Sequence, residues 1–178
     1  MKSFAKILLA ASIVAASASS FAKSTFTLSS PDIAPNQAFA QKHMLNMMGC
    51  TGGNISPAFN WSGAPKGTKS LLLTMYDKDA DTGSGWWHWV VYNIPASATG
   101  FAQGSIPAGA VEARGDGGAP HYGGPCPPMG QKHRYVFTLH ALSIDALPVP
   151  PDASPAMIGM MATMNRLDKT SFTVKVGR

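Results

Sequence analysis

Three apolar runs, at residues 69–76, 87–94 and 133–142, limit most strongly what this chain can become. Each is the length of a strand, and the second and third are rich in aromatic and β-branched residues, the second closed by Pro95. The first lacks polar alternation, which predicts a strand buried on both faces. Residues 25–29 and 58–61 add shorter strands. Residues 171–176 alternate, with Phe172, Val174 and Val176 predicted inward and Ser171, Thr173 and Lys175 outward. The 18 glycines and 14 prolines punctuate the connections. Residues 31–53 read as an irregular, Met-rich loop, and residues 101–130 as a segment too long for a simple hairpin. One helix is predicted, with Ser154 as its cap, Pro155 at its first position, and Met157, Met160, Met161 and Met164 at helical spacing facing the core. The fold class is mostly β: two packed antiparallel sheets with peripheral short helices.

Charge narrows the function classes. Asp, Glu, Lys and Arg make up 13% of the chain, about half the usual share. Disorder, coiled coil and nucleic-acid binding are thereby excluded, since each needs many charges. Part of the basicity sits in an expected export signal. Lys2 and Lys6 precede an apolar stretch at residues 7–16 that is too short to span a bilayer, and Ser20-Phe21-Ala22 supplies small residues for a signal peptidase. Removing residues 1–22 leaves one domain at 23–178 and lowers the net charge from +5 to +3. No later stretch reads as a transmembrane segment. The expected location is periplasmic or secreted. Export lets Cys50 and Cys126 pair, with two unpaired thiols as the other reading.

Three strand ends concentrate chemistry-bearing residues. Asp77, Asp79 and Asp81 follow the first apolar run, Trp86, Trp87, His88 and Trp89 open the second, and Cys126, Pro127 and Pro128 with His133, Arg134 and Tyr135 open the third. An EF-hand fails because Thr82 stands where glycine belongs and His88 where glutamate belongs. Zinc through His88, His133 and Asp77 or Asp79 lacks ligand spacing, so no metal is assigned. A Gly-x-Ser-x-Gly elbow is absent, and no cofactor is implied. In a sandwich, loops at one end cluster, so these groups can converge on one shallow pocket.

The blocks Asp77-x-Asp79-Ala80, Trp86-x-His88-Trp89-x-Val91-x-Asn93-Ile94-Pro95 and Gly124-Pro125-Cys126-Pro127-Pro128-x-Gly130 with His133-Arg134-Tyr135 resemble the signatures of the phosphatidylethanolamine-binding protein family. Gly49-Cys50-x-Gly52-Gly53-Asn54 and Thr82-Gly83-Ser84-Gly85-Trp86 resemble its bacterial Raf-kinase-inhibitor-like branch, and exported members of it most. The resemblance implies a β-sandwich with a small anion pocket for phosphate, phospholipid headgroups or phosphorylated ligands. Carried over, that pocket is lined by Asp77, Asp79, Trp86, His88, Cys126, Pro127, Pro128, His133 and Tyr135. The family's usual Asp-Pro-Asp-Ala-Pro is here Asp77-Lys78-Asp79-Ala80-Asp81, and losing both prolines is expected to loosen the loop. The C-terminal helix of animal members has no clear counterpart after Arg178. An aspartate, Asp77 or Asp79, is expected to accept from His88 and favour its charged form.

The function expected is therefore a non-enzymatic binding module for small anionic or phosphorylated ligands. One alternative is an inhibitor or modulator of a partner protein such as an extracytoplasmic protease, presenting the pocket rim and residues 101–130. Another is a weak hydrolase using Asp79 and His88.

Overall fold

The computed structural model describes residues 25–178, so the stretch read as an export signal lies outside the described residues. In chain order the strands are β1 (Thr27–Ser29), β2 (Phe59–Ser62), β3 (Ser70–Asp77), β4 (Trp86–Pro95), β5 (Gly100–Phe101), β6 (Val111–Ala113), β7 (Lys132–Leu142) and β8 (Arg166–Gly177), with helix α1 (Pro155–Met164) before β8. They form a three-stranded sheet, β1-β2-β5, and a five-stranded sheet, β6-β4-β3-β7-β8. Every pairing is antiparallel. The two-sheet, mostly β architecture read from the sequence is the one observed.

The core lies between the sheets. Phe59 and Trp61 of β2 meet Leu71, Leu73 and Met75 of β3, Trp89 of β4 and Phe137 of β7. Phe59 is fully buried, with ring centroids 5.5 Å from both Phe101 and Phe137. Each such buried side chain contributes about 2 kcal/mol. On the other face of the large sheet, Leu72, Val90, Tyr92 and Leu142 pack with Ile158 and Ala162 of α1. Strand β3 is thus apolar on both faces, which explains its lack of alternation. Strand β8 extends well beyond the alternating residues 171–176, because its ladder with β7 runs from Lys132–Gly177 to Leu142–Arg166 and needs backbone groups alone.

The helix begins as expected, with Ser154 Oγ accepting from the Met157 N–H at 3.2 Å. Its orientation differs. Met157, Met160 and Met164 are exposed, while Pro155, Ile158 and Ala162 are buried. The turn after Pro155 aims the Ile158–Ala162 pair, four residues apart on one face, at the sheet. Met161 packs against the core as expected, whereas Met157, Met160 and Met164 lie away from it.

Strand β4 carries two irregularities that matter below. Between the pairs Leu71–Ile94 and Leu73–Val91 it has an extra residue. There Asn93 adopts a positive φ of 54°, and its Oδ1 accepts from the Leu147 N–H at 2.8 Å. Between Met75–Trp89 and Tyr76–Trp87 the extra residue is His88.

Cys50 and Cys126 are bridged across 76 residues of sequence, with Cα atoms 6.0 Å apart. In the chain-entropy account a loop of that size gives roughly 4 kcal/mol of stabilisation. Among the described residues no helix is long and apolar enough to cross a membrane.

Candidate functional site

The inward face of β3 ends in Asp77, and the inward face of β7 begins with His133 and Tyr135. Alternation along β7 buries His133 and Tyr135 and leaves Arg134 outside. Asp77 pairs with Tyr135 in the ladder, so His133 lies diagonally across from Asp77. Its Nδ1 donates to Asp77 Oδ2 at 2.7 Å. The other carboxylate oxygen accepts from the Asp79 N–H at 2.9 Å. His133 Nε2 lies 2.9 Å from Gln131 Oε1. Tyr135 adds a side-chain hydrogen bond to Asp77, and burial, then the Asp77 charge, pushes its phenol well above the usual range. It stays a protonated donor.

His88 reaches the same place by a different route. Strict alternation would send it to the opposite face from Trp89. The extra residue in β4 breaks that rule, since a bulge turns two successive side chains towards one side. The His88 ring consequently sits 5.2 Å from that of Tyr135, and its Nδ1 donates to the Gly123 carbonyl at 2.9 Å. Burial, above all, holds His88 below the ordinary histidine value. It is neutral near pH 7, with Nε2 left to the cavity. The expected partnership of His88 with an aspartate is therefore corrected: His133 occupies Asp77, and the charged form of His88 is disfavoured.

These groups line one cavity of about 460 Å³, together with Trp86, Trp87, Cys126, Pro127 and Pro128. Its other walls are Leu45, Met47, Met48 and the 115–124 loop. Asp79 is not among the lining residues. It lies in the turn beyond the end of β3, where the chain leaves the strand and brings it beside Arg134 on the outside of the sheet. Its Oδ2 accepts from Arg134 Nε at 2.7 Å and from the Arg134 N–H at 2.8 Å. The guanidinium, foremost, holds its carboxyl down at about 2. The same contacts tether the start of the loop where the family's prolines are absent. Asp79 and His88, the pair considered for hydrolysis, do not meet.

Several residues of the site escaped the sequence reading. Asn54 links two walls, donating from Nδ2 to the Tyr122 carbonyl at 3.1 Å and accepting from the Gly124 N–H at 2.8 Å. Tyr122 donates its hydroxyl to the His43 carbonyl at 2.8 Å. The signal available was Asn54 after two glycines, a residue that tolerates the positive φ of 51° it adopts. Gly52 and Gly124 allow the walls to touch, since a Cβ there would lie 2.1 Å from the Met44 carbonyl oxygen and 2.4 Å from that of His43. Among the described residues no group of three or more His, Cys, Asp or Glu side chains is placed to hold a metal ion.

Fold and cavity together define an antiparallel β-sandwich with an apolar-walled, polar-floored cavity at one end of its larger sheet. The family model described as phosphatidylethanolamine-binding protein matches residues 35–177. The chain belongs to that family. It is 40% identical over 176 residues to the UPF0098 protein YbcL of Escherichia coli (strain K12), covering 94% of this chain and 96% of that protein. It is 44% identical over 152 residues to UPF0098 protein YbhB of the same organism, covering 82% and 96% respectively. The crystal structure of E. coli YbcL, described as a member of the mammalian PEBP family, superposes with a TM-score of 0.83 over 86% of this chain and 98% of that one. The homologue CT736 of Chlamydia trachomatis, at 24% identity and a TM-score of 0.75, covers 88% of this chain and 99% of that one and shares the fold.

Proposed function

We propose that this protein is an exported binding protein whose cavity takes an anionic headgroup, a phosphate borne by a phospholipid or another phosphorylated ligand. The observation that carries the reading is the convergence of His88, His133, Tyr135 and Asp77, from three strands, on the floor of one cavity. Apolar walls suit the remainder of an amphiphilic ligand, since the cavity of about 460 Å³ falls in the range that holds drug-sized molecules rather than a bare phosphate ion.

The chemistry sets the pH dependence. Neutral His88 offers a lone pair at Nε2, while a phosphate oxygen needs a donor. Binding an anion therefore favours uptake of a proton by His88, which forms a charge-assisted hydrogen bond worth about 1.5–3 kcal/mol. Affinity rises as pH falls through the depressed His88 value and declines above it.

Calorimetry with glycerophosphoethanolamine and with inorganic phosphate, at pH 5 and pH 7.5, tests this. Tighter binding at the lower pH, proton uptake, and a loss of roughly tenfold or more in His88→Ala are expected. Asp79→Asn, outside the cavity, stays within about twofold. Affinity indifferent to both pH and His88→Ala would refute the reading. Export rests on Lys2, Lys6 and the Ser20-Phe21-Ala22 site, and an intact mass of the protein from its native host starting at Lys23 is the expected result.

A further inference from the structure

The bridge between Cys50 and Cys126 has a cation on it. Arg178 Nη1 lies 2.8 Å from Cys50 Sγ and 3.1 Å from Cys126 Sγ. The same guanidinium touches the Met48 carbonyl at 3.4 Å and Met129 Sδ at 3.1 Å. These neighbours are neutral, and none is a carboxylate. An intact disulfide is a weak acceptor and gains little from such a charge. A thiolate formed in its place gains a great deal, because an adjacent guanidinium stabilises the anion and makes the sulfur a better leaving group.

The two sulfurs are also unequally placed. Cys126 belongs to the cavity wall, next to Pro127 and Pro128, whereas Cys50 is no part of the lining and is 7% exposed. A nucleophile arriving through the cavity meets Cys126 first. The surrounding loops do not depend on the bridge alone. The Leu45 N–H donates to the Pro125 carbonyl at 3.1 Å, Gly52 to Leu45 at 2.8 Å and Cys50 to Met47 at 3.0 Å. After cleavage they hold Cys50 within reach of its former partner.

We propose that this bond is a reversible thiol-exchange site for low-molecular-weight thiols admitted by the cavity. The incoming thiolate attacks Cys126 Sγ, a new sulfur–sulfur bond forms there, and the Cys50–Cys126 bond breaks. Its electron pair leaves with Cys50 as a thiolate beneath Arg178. Return attack by Cys50 on Cys126 expels the small thiol and restores the bridge, with no net oxidation in the cycle. Arg178 is a positioning residue that sets the equilibrium without touching the incoming thiol's carbon skeleton. The inference is independent of which anion, if any, the cavity holds.

The test uses the full folded chain at graded concentrations of reduced glutathione, quenched with acid and alkylated, followed by peptide mass spectrometry. Glutathione on Cys126 and alkylating reagent on Cys50 are expected. Arg178→Gln should lower the equilibrium constant for opening about tenfold, while Arg178→Lys keeps most of the effect. With glutathione disulfide, Cys50→Ser should accumulate one glutathione on Cys126, and Cys126→Ser should leave Cys50 unmodified. The proposal is overturned by an adduct on Cys50, by opening only in denaturant, or by equal midpoints for the unaltered chain and a folded Arg178→Gln variant.

Discussion

Asp77 accepts from His133 across the β3–β7 ladder, Oδ2 to Nδ1 at 2.7 Å, with the two residues 2% and 6% exposed. A buried carboxylate is tolerated only when its oxygens are matched, and here they meet an imidazole and the Asp79 amide. The pair forms the rigid floor of the cavity.

Removing one member leaves the other buried without its partner. Asp77→Ala is expected to cost about 3 kcal/mol or more, read as a lower urea midpoint. A double-mutant cycle with His133→Ala should return a coupling on the order of 1 kcal/mol or more. Additivity of the two substitutions would refute the coupling.

Acid should weaken the fold through a histidine outside the cavity. His140 Nδ1 is buried without a hydrogen-bond partner, and burial, then the nearby Arg166 and Lys169 charges, holds the ring down at about 4. The unfolded chain protonates near pH 6.5, so it binds the extra proton first. This contribution is intact above pH 6.5 and is lost as pH falls towards 4. The loss at pH 4.5 is on the order of 2 kcal/mol, and His140→Leu should flatten the urea midpoint between pH 7 and pH 4.5.

The contact between the two glycine-bearing walls has its own signature. A Cβ at position 124 would lie 2.4 Å from the His43 carbonyl oxygen and 2.5 Å from the Leu45 nitrogen. Gly124→Ala must push backbone aside, at a cost of about 2 kcal/mol, visible as a lower melting temperature. A melting temperature equal to that of the unaltered chain would show that the walls are free to part.

Helix α1 offers a paired comparison. Ile158 is 1% exposed and Met160 is 56% exposed. Ile158→Ala should cost about 2–4 kcal/mol, and Met160→Gln should stay within about 0.5 kcal/mol, both by chemical denaturation. The reverse ranking would restore the methionine face to the core.

Much of the fold could be read from local pattern. The long strands, the capped helix start and the outward Lys175 follow from periodicities of two and 3.6 residues, which act within a few residues. Helix α1 meets the core, but through Ile158, Ala162 and Met161 rather than through all four methionines, because apolar residues surround it and regular spacing does not report which side meets the sheet. The approach of Asn54 to Tyr122 and Gly124, and of Arg178 to the bridge, joins residues far apart in sequence, where no short-range pattern reports contact.

His88 separates the two kinds of information most cleanly. Sequence alone determined that an imidazole would lie at the start of a strand near two acidic residues, because residue order and apolar periodicity are local properties. Only the tertiary structure decided that an extra residue in β4 turns His88 into the cavity, that the Asp77 carboxylate is already taken by His133, and that Asp79 faces Arg134 outside. Those outcomes depend on strand register, and register is chosen by the summed packing of both sheets rather than by any one stretch of chain.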